Sequence, residues 1–470
     1  MLPDDILLET FYFYHNEGEI KNISDYKYAI ESWVTLVHVC QRWRTVVFGS
    51  PHYLGLRLAS VPCLSKTPAR DPLDVWPPLP LSILGQGPQL SVSNIIAALK
   101  RGDRVDDIEL FDWDIFSLKT VLSAMLKPFP ELTYLYLGKF KYEKIIPVLP
   151  DSFLGGTAPR LRRLYLSGIP FPALPKLLLS SAHLVDLSLR NIPQSGYFSP
   201  EAIITALSLL TSLKSLWLEF LSPRPFLDQE SRRLSPPTRS VLPVITFFLF
   251  KGASEYLEVL VARIDAPRLN RLHITFFNDI VFDTPHLVEF ISLTPALKAL
   301  KKADFVFNHH AVNVEFSLPT TGHGELTLQV LCRELDWQVS SLVQILNLSP
   351  SPVSKLEDLY INEGSFWIRL GNRQDNIENA EWLELLRPFA AVKNLYLSLK
   401  LAPLIAFALQ ELAGGSMTEL LPNLQNIFLE GLQPSGPVLE GIQQLVSARQ
   451  VNDHPIIISL WDNPSRNKTS

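Results

Sequence analysis

The residues able to do chemistry are few in this chain, and their spacing does not favour it. His309-His310 is the only adjacent histidine pair, and a zinc site needs three or four nitrogen or sulfur ligands, with no third one at suitable spacing. The three cysteines, Cys40, Cys63 and Cys332, are far apart and form no C-x-x-C, so neither a disulfide framework nor a zinc cluster is expected. Cys40 falls in an apolar helical pattern, where a thiol packs rather than attacks. Asp103, Asp106, Asp107, Glu109, Asp112 and Asp114 form an acidic patch, readable as a divalent-ion site or as a solvated surface. G-x-G-x-x-G, G-x-x-x-x-G-K, G-x-S-x-G and H-E-x-x-H are all missing, so phosphate loops, nucleophile elbows and zinc-protease helices lack support. The expectation is a non-catalytic protein with no cofactor and no metal. A hydrolase whose site is assembled from loops is the remote alternative.

The elements that position side chains are far easier to read. The 470 residues are 47% hydrophobic and 19% charged, enough apolar material for a large folded core. Proline (37) outnumbers glycine (21), which excludes collagen and argues against Gly-rich nucleotide loops. The net charge of -5 gives no electrostatic reason to expect nucleic acid or an anionic membrane as partner. Asp4 and Asp5 stand where a secretory signal carries positive charge, and the longest greasy stretch, residues 241–250, is far shorter than a membrane span. The expected location is cytoplasm or nucleus, which leaves the sequons at Asn22, Asn347 and Asn467 without glycans.

Residues 2–14 read as a helix with Pro3 in its first turn and Asp4 and Asp5 at the positive end of its dipole. Leu2, Ile6 and Phe13 form one stripe and Leu7, Phe11 and Tyr14 another, more apolar surface than a small helix needs against its own core. A second helical pattern, residues 32–47, carries Trp33, Leu36, Val37, Cys40, Trp43 and Val47 and ends at Gly49-Ser50-Pro51. So small a segment with surplus apolar area is either a cap on the larger domain or a partner-binding module.

The string Leu2-Pro3-Asp4-Asp5-Ile6-Leu7, with Phe11, Leu36, Val39-Cys40-Gln41-Arg42-Trp43-Arg44 and Ser50-Pro51, resembles an F-box. It departs from that pattern in a longer stretch between Phe11 and Val39 and in Tyr53-Leu54 where the family has a terminal Trp. The resemblance implies a docking module for the Skp adaptor of a cullin-RING ubiquitin ligase, the SCF complex. By position it assigns the adaptor surface or its support to Leu2, Pro3, Ile6, Leu7, Phe11, Leu36, Val39, Cys40 and Trp43.

From about residue 100 the pattern L-x-x-L-x-L returns: Val105/Ile108/Leu110, Leu132/Leu135/Leu137, Leu161/Leu164/Leu166, Leu184/Leu187/Leu189 and Leu213/Leu216/Leu218. Further copies are Leu257/Leu260/Ala262, Leu269/Leu272/Ile274, Leu356/Leu359/Ile361, Val392/Leu395/Leu397 and Leu424/Ile427/Leu429, with a blurred one at Leu297/Leu300 before a strand at 303–307. This is the core of a leucine-rich repeat. Helical stretches are expected at 117–126, 174–180, 201–210, 381–390 and 403–412. The step from Leu257 to Leu269 leaves room only for a loop, and a last strand is expected at 455–461. Residues 252–258, 264–269 and 448–450 are similar in phrasing to the large F-box and leucine-rich-repeat families of mushroom-forming fungi.

The fold class expected is therefore α/β: a small all-helical module (1–60), a Pro-rich linker and first cap (61–100), and an irregular leucine-rich-repeat solenoid (101–462) with a parallel sheet on its concave side and helices outside. Residues 222–243 read as a surface insertion and 463–470 as a polar tail.

Strand alternation sends the fourth and sixth repeat positions into the core and the third, fifth and seventh onto the open face. The fifth position holds Glu109, Tyr136, Tyr165, Ser188, Trp217, Val261, His273, Tyr360, Tyr396 and Phe428, six of ten aromatic in a chain that is 10% aromatic. Arg163, Asp186, Arg190, Glu219, Arg263, Arg271, Asp358, Asn362, Asn394 and Glu430 flank them. Aromatics ringed by polar groups suit a protein-binding hot spot, or they stack for stability alone. Tyr136, Tyr165, Trp217, His273, Tyr360, Tyr396 and Phe428 are the candidate contacts to a substrate protein. The functional expectation is a substrate-recognition adaptor of an SCF-type ligase; the rival is a non-catalytic repeat scaffold whose helices only cap the solenoid.

Overall fold

In the computed structural model the N-terminal string forms α1, Asp4–Asn16, with both acidic residues in its first turn. The second helical pattern is not one helix: it breaks into α2, Trp33–Val37, and α3, Gln41–Gly49. Cys40 sits at the break with extended backbone, and its sulfur accepts a hydrogen bond from the Trp43 amide at 3.5 Å. It therefore caps α3 from an exposed position rather than packing on a helix face. The structure describes residues 2–16, 33–51, 53–60, 78–86, 91–112, 114–138, 147–222, 239–277, 284–318, 324–348, 353–364, 379–411, 420–431, 437–450 and 455–462. Most of the expected insertion (223–238), part of the expected linker (61–77 and 87–90) and the polar tail lie outside them.

The chain divides into two compact units, Met1–Leu213 and Lys214–Ser470. In the first, α1 to α3 are followed by β1 (Leu58–Ser60), β2 (Leu81–Gln86), α4 (Val92–Leu99), β3 (Val105–Phe111), α5 (Ile115–Ala124), β4 (Tyr134–Gly138), β5 (Arg163–Ser167), α6 (Leu174–Leu178), β6 (Asp186–Ile192) and α7 (Pro200–Leu207). The strands lie in chain order and every described pairing is parallel. β2 falls inside the stretch expected to be a linker; its prolines, Pro77, Pro78 and Pro80, precede the strand rather than interrupt it.

The repeat explains this sheet. Leu132, Leu161 and Leu184, at the first position, are fully buried, as are Leu135, Leu164 and Leu187 at the fourth, each contributing ~1.5 to 3 kcal/mol by burial. Ahead of the strands a backbone ladder fixes register: Thr133 donates to the Asp106 carbonyl at 2.8 Å, Arg162 to that of Thr133 at 2.8 Å, and Val185 to that of Arg162 at 2.7 Å. Helices start on caps, Asp114 accepting from the Ser117 amide at 3.0 Å and Ser199 from that of Ala202 at 3.2 Å, with Pro200 in the first turn of α7.

The second unit contains β7 (Ser215–Phe220), β8 (Ser240–Val241), β9 (Phe247–Gly252), α8 (Ser254–Val261), β10 (Ile264–Asp265), β11 (Arg271–Phe276), α9 (Pro285–Leu293), β12 (Lys302–Phe307), β13 (Ala311–Ser317), β14 (Glu325–Leu331), α10 (Leu335–Leu348), β15 (Asp358–Glu363), α11 (Asn379–Leu386), β16 (Asn394–Leu397), α12 (Ala402–Glu411), β17 (Asn426–Glu430), α13 (Pro437–Gln450) and β18 (Ile457–Trp461). Its main sheet runs β7-β9-β11-β14-β13-β12-β15-β16-β17-β18, with β8 and β10 as a separate parallel pair.

Two sequence expectations are overturned here. Leu257/Leu260/Ala262 is not a repeat strand, and the step to Leu269 is not a bare loop. Residues 254–261 are α8, because L-x-x-L satisfies a helical period equally well and buries Leu257, Leu260 and Val261 together. The strand of that repeat is the aromatic alternation of β9 just before it, so Leu249, not Val261, shares the fifth-position row: it pairs with Trp217 on one side and His273 on the other. The sheet is also not parallel throughout. β12, β13 and β14 form an antiparallel meander joined by parallel pairing to β15 at one side and β11 at the other.

Helices cover one face of this sheet. Phe305 packs edge-on against Phe389 at 5.7 Å and Phe307 against Trp382 of α11 at 5.7 Å, so the alternate positions, Lys302, Asp304 and Val306, belong to the opposite face. Among the described residues no helix is long and apolar enough to cross a membrane.

Candidate interaction surfaces

The helical residues singled out from sequence separate into two groups. Leu7, Phe11 and Leu36 are buried, at 6%, 1% and 6% exposure, and make the internal core with Trp33, Val37 and Val47. Trp43 leans on Phe11 with ring centroids 4.8 Å apart. Leu2, Ile6 and Val39 are 58%, 49% and 58% exposed, and Pro3 and Cys40 are exposed with them. Arg42 gathers this second group: it donates to Asp4 Oδ1 at 2.6 Å and to the Leu2 carbonyl at 2.5 Å, which holds the start of α1 against the start of α3. Phe13, Tyr14 and Tyr53 extend the apolar exposure. Sequence reasoning did not assign these three, although Phe13 and Tyr14 lie in its stripes.

Among the described residues Arg57 links the helices to the sheet. The Trp33 indole donates to the Arg57 carbonyl at 2.8 Å, and the Arg57 guanidinium reaches Asp106 at 3.0 Å and Asp107 at 3.7 Å on β3. Burial pushes Asp106 up to about 6, against the pull of Arg57, and raises Glu109 with help from Asp107. The acidic patch is thus partly a joint between segments. Among the described residues no group of three or more His, Cys, Asp or Glu could hold a metal ion.

On the sheet of the first unit, Tyr136 and Tyr165 lie in register, tilted at 52° with centroids 6.1 Å apart. Burial raises both hydroxyl pKa values, with Arg190 opposing. A Cβ at Gly138 would stand 2.9 Å from the Tyr136 hydroxyl, so a side chain there would displace that ring.

On the second unit, Trp217, Phe247 and His273 form one bank: Trp217 to Phe247 is 6.0 Å and Phe247 to His273 is 5.4 Å. Arg271 lies over Phe247 at 5.2 Å, and His273 Nε2 is 2.9 Å from Glu325. Burial lowers the His273 pKa and Glu325 opposes it. The other bank is a face-to-face pile. Tyr360 and Tyr396 stack at 4.0 Å and 4°, Tyr396 and Phe428 at 4.4 Å and 7°, in register across β15, β16 and β17. Trp461 meets Tyr396 and Tyr360 edge-on at 5.4 and 5.7 Å, and Lys302 Nζ sits 4.2 Å from the Tyr360 centroid. Below the rings runs an amide rung, Asn426 donating to Asn394 at 2.8 Å and Asn394 to Asp358 at 2.6 Å. Burial, and then the hydrogen bond its hydroxyl shares with Tyr396, holds the Tyr360 hydroxyl protonated well above its usual range.

The candidate contacts are therefore brought together within each unit: Tyr360, Tyr396 and Phe428 cover one another face to face, while Tyr136, Tyr165, Trp217 and His273 are tilted against their ring neighbours. What this surface offers a partner is ring edges, hydroxyls and the flanking charges. Phe247, Trp461, Lys302, Asp304, Glu315 and Glu325 belong to it and were missed, most of them because they sit on the meander and on β9. The period-two alternation of residues 311–317 and 325–331 was the available signal.

No protein-family model and no curated protein matches the chain. Among solved structures it is similar to the leucine-rich repeat-containing protein LegL7 from Legionella pneumophila, at 12% identity over 83% of this chain and 97% of that chain, with a TM-score of 0.27. The repeat architecture itself is carried by the buried L-x-x-L-x-L strands, their parallel register and the helices packed on one face of the sheet.

Proposed function

We propose that this protein is a substrate-recognition adaptor of an SCF-type ubiquitin ligase: α1 to α3 dock on a Skp-type adaptor, and through it a cullin-RING ligase, while the repeat sheet holds a substrate protein. The chain supplies proximity rather than catalysis. The observation that carries this reading is the split within the helical residues. Leu7, Phe11 and Leu36 suffice for a core, and Leu2, Ile6, Val39 and Phe13 are left facing solvent, which is an apolar surplus of the kind that marks a partner surface.

The test is co-purification with a Skp-type adaptor. Wild type binds; Ile6→Asp with Val39→Asp does not, and retains its melting temperature because both side chains are outside the core. Failure of wild type to bind, or equal binding by the double variant, overturns the reading. A second reading, a repeat scaffold capped by its helices, draws on the Trp33 and Arg57 linkage to β3. It predicts that removing residues 1–50 lowers the melting temperature of the first unit with no adaptor bound in either form.

A further inference from the structure

The meander places carboxylates in register with the rings of β15, β16 and β17. Asp304 on β12 pairs across with Glu315 on β13, and Glu315 with Thr327 on β14, two residues from Glu325. This row lies between the Trp217, Phe247 and His273 bank and the Tyr360, Tyr396 and Phe428 pile, on the face opposite the helices. On the neighbouring β15, Asp304 faces Tyr360, and Asp358 lies opposite Lys302. The cations of the same face are already engaged: Arg271 on the Phe247 ring, and Lys302 on the Tyr360 ring and 3.7 Å from Asp304. Glu315 is exposed and makes no ion pair or hydrogen bond among the described residues.

Lys302 shows what chemistry the row accepts, an ammonium resting on an aromatic face with a carboxylate at its side. One such position is filled by the chain itself, and the row continues past it to Glu315 with no cation. Burial and then the neighbouring Glu325 and Asp304 raise Glu315, and burial raises Asp304 against Lys302 and Asn362, so an incoming positive charge relieves both. We infer that this face of the Lys214–Ser470 unit binds an extended basic segment of the substrate protein, its lysine or arginine side chains entering the row of Asp304, Glu315 and Glu325 between the two aromatic banks. The inference rests on the proposal that the repeat sheet holds the substrate, and it names the charge that substrate must carry. Charge complementarity selects the occupant: an acidic segment meets like charge, and a neutral one leaves the Glu315 carboxylate without a partner.

The experiment uses the full chain and three fluorescein-labelled nonapeptides, alternating glycine with arginine, glutamate or glutamine, read by anisotropy at low and moderate salt. The arginine probe binds and weakens with salt, and the other two do not bind. Glu315→Gln with Asp304→Asn weakens the arginine probe by roughly tenfold, while Glu440→Gln with Asp336→Asn, which removes the same charge from helices α13 and α10, leaves it unchanged. Circular dichroism melts confirm that both variants are folded. Equal binding of the glutamine probe, no binding of the arginine probe, or equal loss in both double variants overturns the inference. Adaptor co-purification from the same preparations separates the two proposals: an adaptor bound with no basic preference sinks only the inference, and a basic preference with no adaptor sinks only the ligase reading.

Discussion

Ile6 and Phe13 on α1 stand 49% and 60% exposed, whereas Tyr396 on β16 is held between Tyr360 at 4.0 Å and Phe428 at 4.4 Å. Both regions carry more apolar surface than their own cores require. The helices leave theirs unspent because a 13-residue helix has a circumference and only one side of it meets α2 and α3. On β15 to β17 the rings cover one another instead, because adjacent strands at ~4.8 Å bring in-register side chains within stacking distance. The difference teaches that enrichment of aromatics on an open face is not by itself an exposed hot spot. On the sheet the charges between the rings are freer to bind than the rings.

Four experiments break or sharpen that contrast. The largest effect is expected from Phe11→Ala, which empties the centre of the helical core and costs about 3 to 5 kcal/mol; a thermal melt of the first unit checks it, and a change within 1 kcal/mol would mean that the division into core and surface is wrong. Next is Asp106, where the helices hang on the sheet. Its folded pKa of about 6 lies above the ordinary 3.8, so its contribution favours folding fully below pH 4 and is lost as pH rises through about 6. Asp106→Asn removes that dependence, and at pH 8 the variant is more stable than wild type by up to about 3 kcal/mol, less whatever Arg57 loses while still held by Asp107. Melts at pH 4, 6 and 8 read the slope directly.

Tyr396→Ala comes third. It deletes two stacked contacts at once and costs ~1 to 3 kcal/mol for them, against about half for Phe428→Ala at the end of the pile; equal costs would argue against stacking as the source. Smallest in stability is Ile6→Asp with Val39→Asp, within ~0.5 kcal/mol, and the same variant is the one that abolishes adaptor capture. A variant that is neutral in stability and decisive in binding is the signature of a surface. The Tyr396 variant, costly in stability, is the signature of a scaffold.

Much of the architecture was legible in the sequence because its carriers are local. L-x-x-L-x-L marks strands wherever the flanking alternation agrees, and helices expected at 117–126, 201–210 and 403–412 appear as Ile115–Ala124, Pro200–Leu207 and Ala402–Glu411. The motif misled at Leu257/Leu260/Ala262, where a spacing of three serves helix and strand alike and only the preceding F-F-L-F alternation, residues 247–250, decides. The break at Cys40 was invisible for a similar reason: the apolar period continues through it, while the backbone turns to let sulfur cap the next helix.

The sequence by itself determined the core residues of the regular repeats, the fifth-position row apart from the place that Leu249 fills, and that the first helix carries more apolar residues than it can bury. Those follow from periodicity, which needs no neighbour. Tertiary structure alone decided which of Leu2, Ile6, Leu7 and Phe11 face water, since that depends on where α3 crosses α1. It also decided that β12, β13 and β14 run antiparallel, which sets Asp304 opposite Glu315 and brings Glu325 within two residues of the same row. Strand order and pairing are properties of the whole sheet, and no local period encodes the neighbour a strand will find.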